Sequence, residues 1–220
     1  MTPGLDAPVV QLVDYRAGNL FSIRRALEFV GAQVSVVRAP EDWDPRATHV
    51  VLPGVGAYAA GMEVLTGLGL DSGLRERATA GVPLLGICLG AQLLFESSEE
   101  FGTHQGLGFL SGAVRRLPED SGRVPHIGWA VCEPHSDGGH PVLPTASDTW
   151  MYFVHSYTFE PTGGTRSLLT AKAGGAMFAA AAGEGSVLGV QFHPERSGDA
   201  GLQILQRFCA WGGYSAGSQP

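Results

Sequence analysis

The chain has 220 residues, enough for one domain with a substantial core. Its 14 basic and 21 acidic side chains leave a net charge of −7, which argues against nucleic acid or an anionic membrane as the main partner. Cys88, Cys132 and Cys209 are too few for a disulfide framework and fit a reducing compartment. The opening Met1–Asp6 lacks a signal-peptide pattern and no apolar run nears the ~20 residues of a spanning helix, so the expected location is the cytoplasm.

In chain order, 8–13 reads as a buried strand, with Asn19 capping a helix on which Leu20, Ile23, Leu27 and Val30 recur at helical spacing until Gly31. Strands follow at 34–37 and 49–52, then the glycine loop Pro53-Gly54-Val55-Gly56 and helices over 57–65 and 70–80. Val82–Leu85 reads as a strand and Leu93–Glu96 as part of the helix after it. This strand–helix alternation implies parallel strands with helices on both faces. Beyond it, 114–117, 126–132, 149–159, 167–172, 177–182 and 187–192 read as strands, the last two joined by a hairpin at Gly183-Glu184-Gly185. The alanines at 179–182 fit a helix equally well. Leu202, Leu205 and Phe208 mark a closing amphipathic helix, and a single domain over 1–211 with a flexible tail at 212–220 is expected. The sheet is expected to be mixed, parallel first, with antiparallel strands added later.

Between the strand at 82–85 and its helix lies Gly86-Ile87-Cys88-Leu89-Gly90-Ala91-Gln92. A glycine two residues either side of a cysteine at such a join raises a nucleophile on a tight turn, and the helix start aims N–H groups at the sulfur. Gln191-Phe192-His193-Pro194-Glu195 supplies a base and a carboxylate to orient it, both projecting the same way if the backbone stays extended past Pro194. Acyl transfer also needs oxyanion donors. The N–H of Leu89 is one, and the loop Pro53–Gly56 is placed to supply the second. Cys132, His135 and His140 lack a fourth ligand, so neither a metal nor a cofactor is expected.

Gly-x-Cys-x-Gly-x-Gln with a later His-x-Glu resembles the triad-type (class I) glutamine amidotransferases. The stretches Pro53-Gly54-Val55-Gly56, Pro125-His126-Ile127-Gly128-Trp129 and His155-Ser156-Tyr157 resemble, more narrowly, the glutaminase subunits of imidazole glycerol phosphate synthase. The resemblance implies a flavodoxin-like three-layer α/β/α fold with a mixed, mainly parallel sheet. It implies that Cys88 attacks the side-chain amide of L-glutamine, with His193 and Glu195 as base and orienter. Val55 and Leu89 would form the oxyanion hole, and Gln92, Glu100 and the backbone of Ser156 and Tyr157 would hold the substrate's amino-acid end. The ammonia would pass to a separate (β/α)8-barrel cyclase subunit, whose docking would turn the Val55 N–H inward. Arg16, Ala91, Ala130 and Arg196 depart from the family pattern, with Arg16 standing where glycine is usual. The alternatives are a glutaminase serving another synthase and a non-catalytic subunit keeping only the fold.

Overall fold

The computed structural model describes residues 7–135 and 139–213, so the expected tail lies, from Tyr214 on, outside the described residues, as does Met1–Asp6. The first half alternates as its periodicity demands: β1 (Val9–Val13), α1 (Leu20–Phe29), β2 (Gln33–Val37), β3 (His49–Leu52), α2 (Tyr58–Gly67), α3 (Leu70–Thr79), β4 (Leu84–Ile87) and α4 (Leu89–Leu93). Asn19 caps α1 through its side-chain oxygen, which accepts the Ser22 N–H. Then come β5 (Phe95–Ser98), β6 (His104–Gln105), β7 (Leu110–Arg116), β8 (His126–Pro134), β9 (Thr149–His155), β10 (Tyr157–Pro161), β11 (Arg166–Ala173), β12 (Ala176–Glu184), β13 (Val187–Val190) and α5 (Gly198–Ala210).

Nine strands form one sheet in the order β2-β1-β3-β4-β13-β12-β11-β8-β9. Pairing is parallel from β2 to β13 and antiparallel from β12 outward. Successive residues of a central strand serve opposite faces. Val50 and Leu52 join Leu65, Leu74 and Leu93 on one side, while Val51 joins Ile23, Leu27, Leu205 and Phe208 on the other. Helices α1 and α5 thus cover one face, and α2 to α4 cover the other.

Two expectations need correction. Phe95 and Glu96 are strand, not helix: Phe95 pairs with Leu110 and its ring stacks on Phe159 at 5.0 Å. A short apolar run fits either period, and here a partner strand decides it. That partner belongs to a second, four-stranded sheet, β10-β7-β5-β6, which no local pattern announces. The strand read across 149–159 breaks at Ser156, because the chain leaves the edge of the large sheet there and enters the small one. The alanine run is strand, as read over 177–182 and against the helical alternative, paired on both sides by β11 and β13.

At the antiparallel end, the rings of His126, His155, Phe153 and Phe178 pack with centroids 4.8 to 6.0 Å apart. Burial pushes His155 down to about 4, aided by His126 and His193 nearby. Burial, then Arg166, does the same for His140. Such a group is protonated more readily unfolded than folded. Its stabilisation is therefore complete above about pH 6.5 and is lost as pH falls toward 4. The unfolding free energy should drop by up to about 3 kcal/mol for each of the two between pH 7 and 4. Urea melts across that range check this, and a flat profile would refute it.

Candidate active site

The parallel order places β4 beside β13, in register from Leu84↔Val187 to Ile87↔Val190. Whatever follows these two strands therefore meets at one end of the sheet, the usual position of sites in open α/β folds. Cys88 follows β4, and Gln191 to His193 follow β13.

Cys88 is 6% exposed and has φ 54° with ψ −113°, a sparsely populated positive-φ conformation that costs a non-glycine residue about 1–3 kcal/mol. The elbow survives because both flanking glycines let neighbours close in. A methyl group on Gly86 would lie 2.6 Å from the Ala91 Cα, and one on Gly90 would lie 1.9 Å from the Leu52 carbonyl oxygen. The helix beyond, α4, has only five residues.

His193 is held by its backbone. Its N–H donates to the Tyr152 carbonyl at 2.9 Å, and its carbonyl accepts the Ser197 hydroxyl at 2.7 Å. Its Nδ1 meets the Glu195 carboxylate at 2.9 Å. The chain does not stay extended to make this contact: it coils into a short 3-10 turn over Pro194–Arg196, which folds the carboxylate back beneath the ring. With Nδ1 so engaged, the other ring nitrogen is left free to serve the pocket that His193 shares with Cys88, whose thiol meets the Val154 carbonyl at 3.8 Å. Burial alone would lower the imidazole's pKa. The hydrogen bonds and charges of Cys88 and Glu195 outweigh it and raise the pKa to about 10. The ring is thus built to keep a proton taken from the sulfur.

A pocket opens over Cys88, with a cavity of about 270 Å³. Val55, Leu89, Gln92, Glu100, Ser156 and Tyr157 all line it with Cys88 and His193. Gln92 Nε2 donates to the Tyr157 carbonyl at 2.9 Å and to Gln191 Oε1 at 3.0 Å. One Glu100 oxygen accepts the Tyr58 N–H at the start of α2, at 2.6 Å. Gln191, absent from the sequence-derived site, is fully buried, and its Nε2 lies 3.8 Å from the Cys88 sulfur. Its signal was available: it stands two residues before His193, at the end of a strand beside the elbow. Arg196 lies at the pocket wall with its guanidinium 4.7 Å above the Tyr152 ring.

The two expected oxyanion donors are not aimed together. The Leu89 N–H donates to the Gly54 carbonyl at 3.2 Å. In a trans peptide the N–H points opposite to the C=O, so the Val55 N–H faces away from Leu89. As it stands, the Gly54–Val55 peptide presents its carbonyl, and not its N–H, to Leu89.

Arg16, another of the four departures from the family pattern, has φ 65° and is exposed. That backbone geometry suits glycine better than arginine. Arg16→Gly should raise stability by about 0.5–1 kcal/mol, or roughly 2 °C in melting temperature. A lower melting temperature would show that the arginine's side chain compensates for its backbone.

A model of the family "Glutamine amidotransferase class-I" matches residues 11–210. A Bacillus licheniformis protein named imidazole glycerol phosphate synthase subunit HisH is 43% identical over 205 residues, covering 91% of this chain and 95% of its own length. One of the same name from Nostoc punctiforme is 42% identical, covering 92% and 96%. The Arabidopsis thaliana protein named imidazole glycerol phosphate synthase hisHF, chloroplastic, is 42% identical over 91% of this chain but only 34% of its own length. Among solved structures, that titled PurLQS from Thermotoga maritima has a TM-score of 0.71 at 20% identity, covering 92% of this chain and 97% of its own. At that identity the likeness speaks for the fold alone.

Proposed function

The chain belongs to the class I glutamine amidotransferase family, and we propose that Cys88, His193 and Glu195 are the triad with which it hydrolyses L-glutamine to glutamate and ammonia. The enzyme is the glutaminase subunit of imidazole glycerol phosphate synthase and feeds ammonia to the cyclase subunit in histidine biosynthesis. The observation that carries the site is His193, bonded to Glu195 at 2.9 Å and lining one pocket with Cys88.

In this reading the Cys88 sulfur attacks the side-chain amide carbon while His193 takes the thiol proton. The oxyanion that forms is held by the N–H groups of Leu89 and Val55. His193 returns the proton to the leaving nitrogen, ammonia departs, and a γ-glutamyl thioester remains. Water, deprotonated by the same imidazole, hydrolyses it to glutamate and restores the thiol. Glu195 holds the ring in its working tautomer and balances its charge. Gln92, Glu100 and the backbone at Ser156 and Tyr157 grip the amino-acid end of the substrate.

Free ammonia would protonate in bulk water and cease to be a nucleophile, so the acceptor must lie close. The length of the Arabidopsis relative, of which this chain matches one third, supports a synthase half placed next to the glutaminase half. For this chain we assign that half to a separate (β/α)8-barrel subunit. A patch of exposed apolar side chains suits its docking: Ile127, Trp129, Trp150 and Met177 are 49 to 58% exposed on one end of the large sheet. Three free, buried cysteines suit the cytoplasm as its site of action. None of the described helices is long and apolar enough to cross a membrane.

The turned-away Val55 N–H makes the free chain a slow glutaminase that the cyclase and its ligand switch on. Glutamate release should be weak for this chain alone, higher with the cyclase, and highest with the cyclase and its nucleotide-like substrate. Full activity in the isolated chain would eliminate the switch. No glutamate under any condition would eliminate the assignment of the site.

A further inference from the structure

Tyr15, just past β1, is 1% exposed, and its hydroxyl oxygen is enclosed without a hydrogen-bond partner. A buried hydroxyl left unpaired is destabilising, and phenylalanine would fill the same space without that penalty. The position of the oxygen is informative. A methyl group built on Gly54 would come within 2.0 Å of it, so the hydroxyl rests directly against the Gly54 α-carbon. A second unpaired buried phenol, that of Tyr58, lies instead against Gly106.

Gly54 is the residue whose carbonyl occupies the Leu89 N–H. For the oxyanion hole to form, the peptide between Gly54 and Val55 must rotate so that the Val55 N–H faces the sulfur. The carbonyl on the same plane then swings off Leu89 and loses that donor, on a peptide whose Gly54 side is buried and whose Val55 side is exposed. The α-carbon is the pivot of that rotation, and the Tyr15 hydroxyl already touches it.

We infer that Tyr15 is a positioning residue for catalysis: its hydroxyl receives the Gly54 carbonyl when the loop turns over and so holds the Val55 N–H in the oxyanion hole. This rests on the reading of Pro53–Gly56 as the oxyanion loop. Two exclusive hydrogen bonds then define two states of one peptide: Leu89 to Gly54 in the resting state, Tyr15 to Gly54 in the working one. Burial, with the Cys88 sulfur nearby, pushes the phenol's pKa far up, so it stays a donor at every working pH. The unpaired oxygen of the resting state is the cost of keeping that donor in place.

The test uses the complex with the cyclase subunit and its bound ligand, comparing wild type with Tyr15→Phe. The expected result is a kcat for glutamine hydrolysis at least about tenfold lower, with KM changed less than about twofold. Alkylation of Cys88 by iodoacetamide, a displacement that forms no oxyanion, should proceed at the wild-type rate. The melting temperature of the free variant should not fall. An unchanged kcat overturns the inference. So does alkylation slowed in step with kcat, which would place the effect at the sulfur, or a lower melting temperature, which would mean the hydroxyl is already bonded at rest. Val55→Pro, which lacks the N–H, separates the two readings. If it turns over normally, the oxyanion loop is misassigned; if it stalls while Tyr15→Phe runs normally, only the role of Tyr15 is lost.

Discussion

Replacing Cys88 by alanine should lower glutamine-dependent synthesis by at least about 10³-fold while synthesis from added ammonium salt continues in the same complex. In the proposed route the sulfur, in one pocket with His193, is the atom that forms the acyl bond to the substrate. Its removal leaves the pocket, the docking face and the partner's chemistry in place. The affinity for the cyclase should therefore be unchanged. His193→Ala should cost a comparable factor, and the double variant little more than either single one, because a nucleophile and its base act as one unit. Glutamate release at a tenth of the wild-type rate by purified Cys88→Ala would refute the covalent route. The ammonium arm matters because it tells loss of glutaminase chemistry from loss of the assembly.

Gly90→Ala should be among the most damaging single methyl groups in the chain. The added carbon would sit 1.9 Å from the Leu52 carbonyl oxygen and 3.0 Å from the Pro53 carbonyl carbon. Both are backbone atoms of β3 and the loop after it, so no side chain can rotate away. Either β3 or α4 must move, and the Leu89–Gly54 hydrogen bond sits between them. A loss of about 3 kcal/mol is expected, or roughly 6–12 °C in melting temperature, together with loss of turnover. Gly67→Ala is the matched control. Nothing lies within 4 Å of a methyl group there, and the residue ends a helix, so that variant should be neutral or slightly more stable. Equal melting curves for the two variants would show that the elbow yields more easily than its contacts imply.

What the sequence made legible follows from how local each signal is. The Cys88 elbow was readable because its two glycines answer a local need: a sharp turn, and close approach by the next segment. The alternation up to β4 was readable because helical and strand periods differ over ten residues. The small sheet was not readable, since its strands pair across distances that composition does not encode. Phe95 looks the same in a helix or a strand until Leu110 lies beside it. The turn at 194–196 was missed for a related reason. Pro194 excludes helix only at the residue before it, and the chain coils directly afterwards. Gln191 and Tyr15 were seen as residues yet not as parts of the site, because burial and an unpaired oxygen become visible only in three dimensions.

The adjacency of β4 and β13 has a consequence for biosynthesis. Cys88 and His193 are neighbours in space but 105 positions apart along the chain. With the proposed triad, a ribosome-bound intermediate that has displayed its thiol has yet to receive an imidazole, so it cannot squander cellular glutamine. Hydrolytic competence arrives only when translation is nearly over, and a prematurely terminated product would be inert rather than an unregulated source of ammonia.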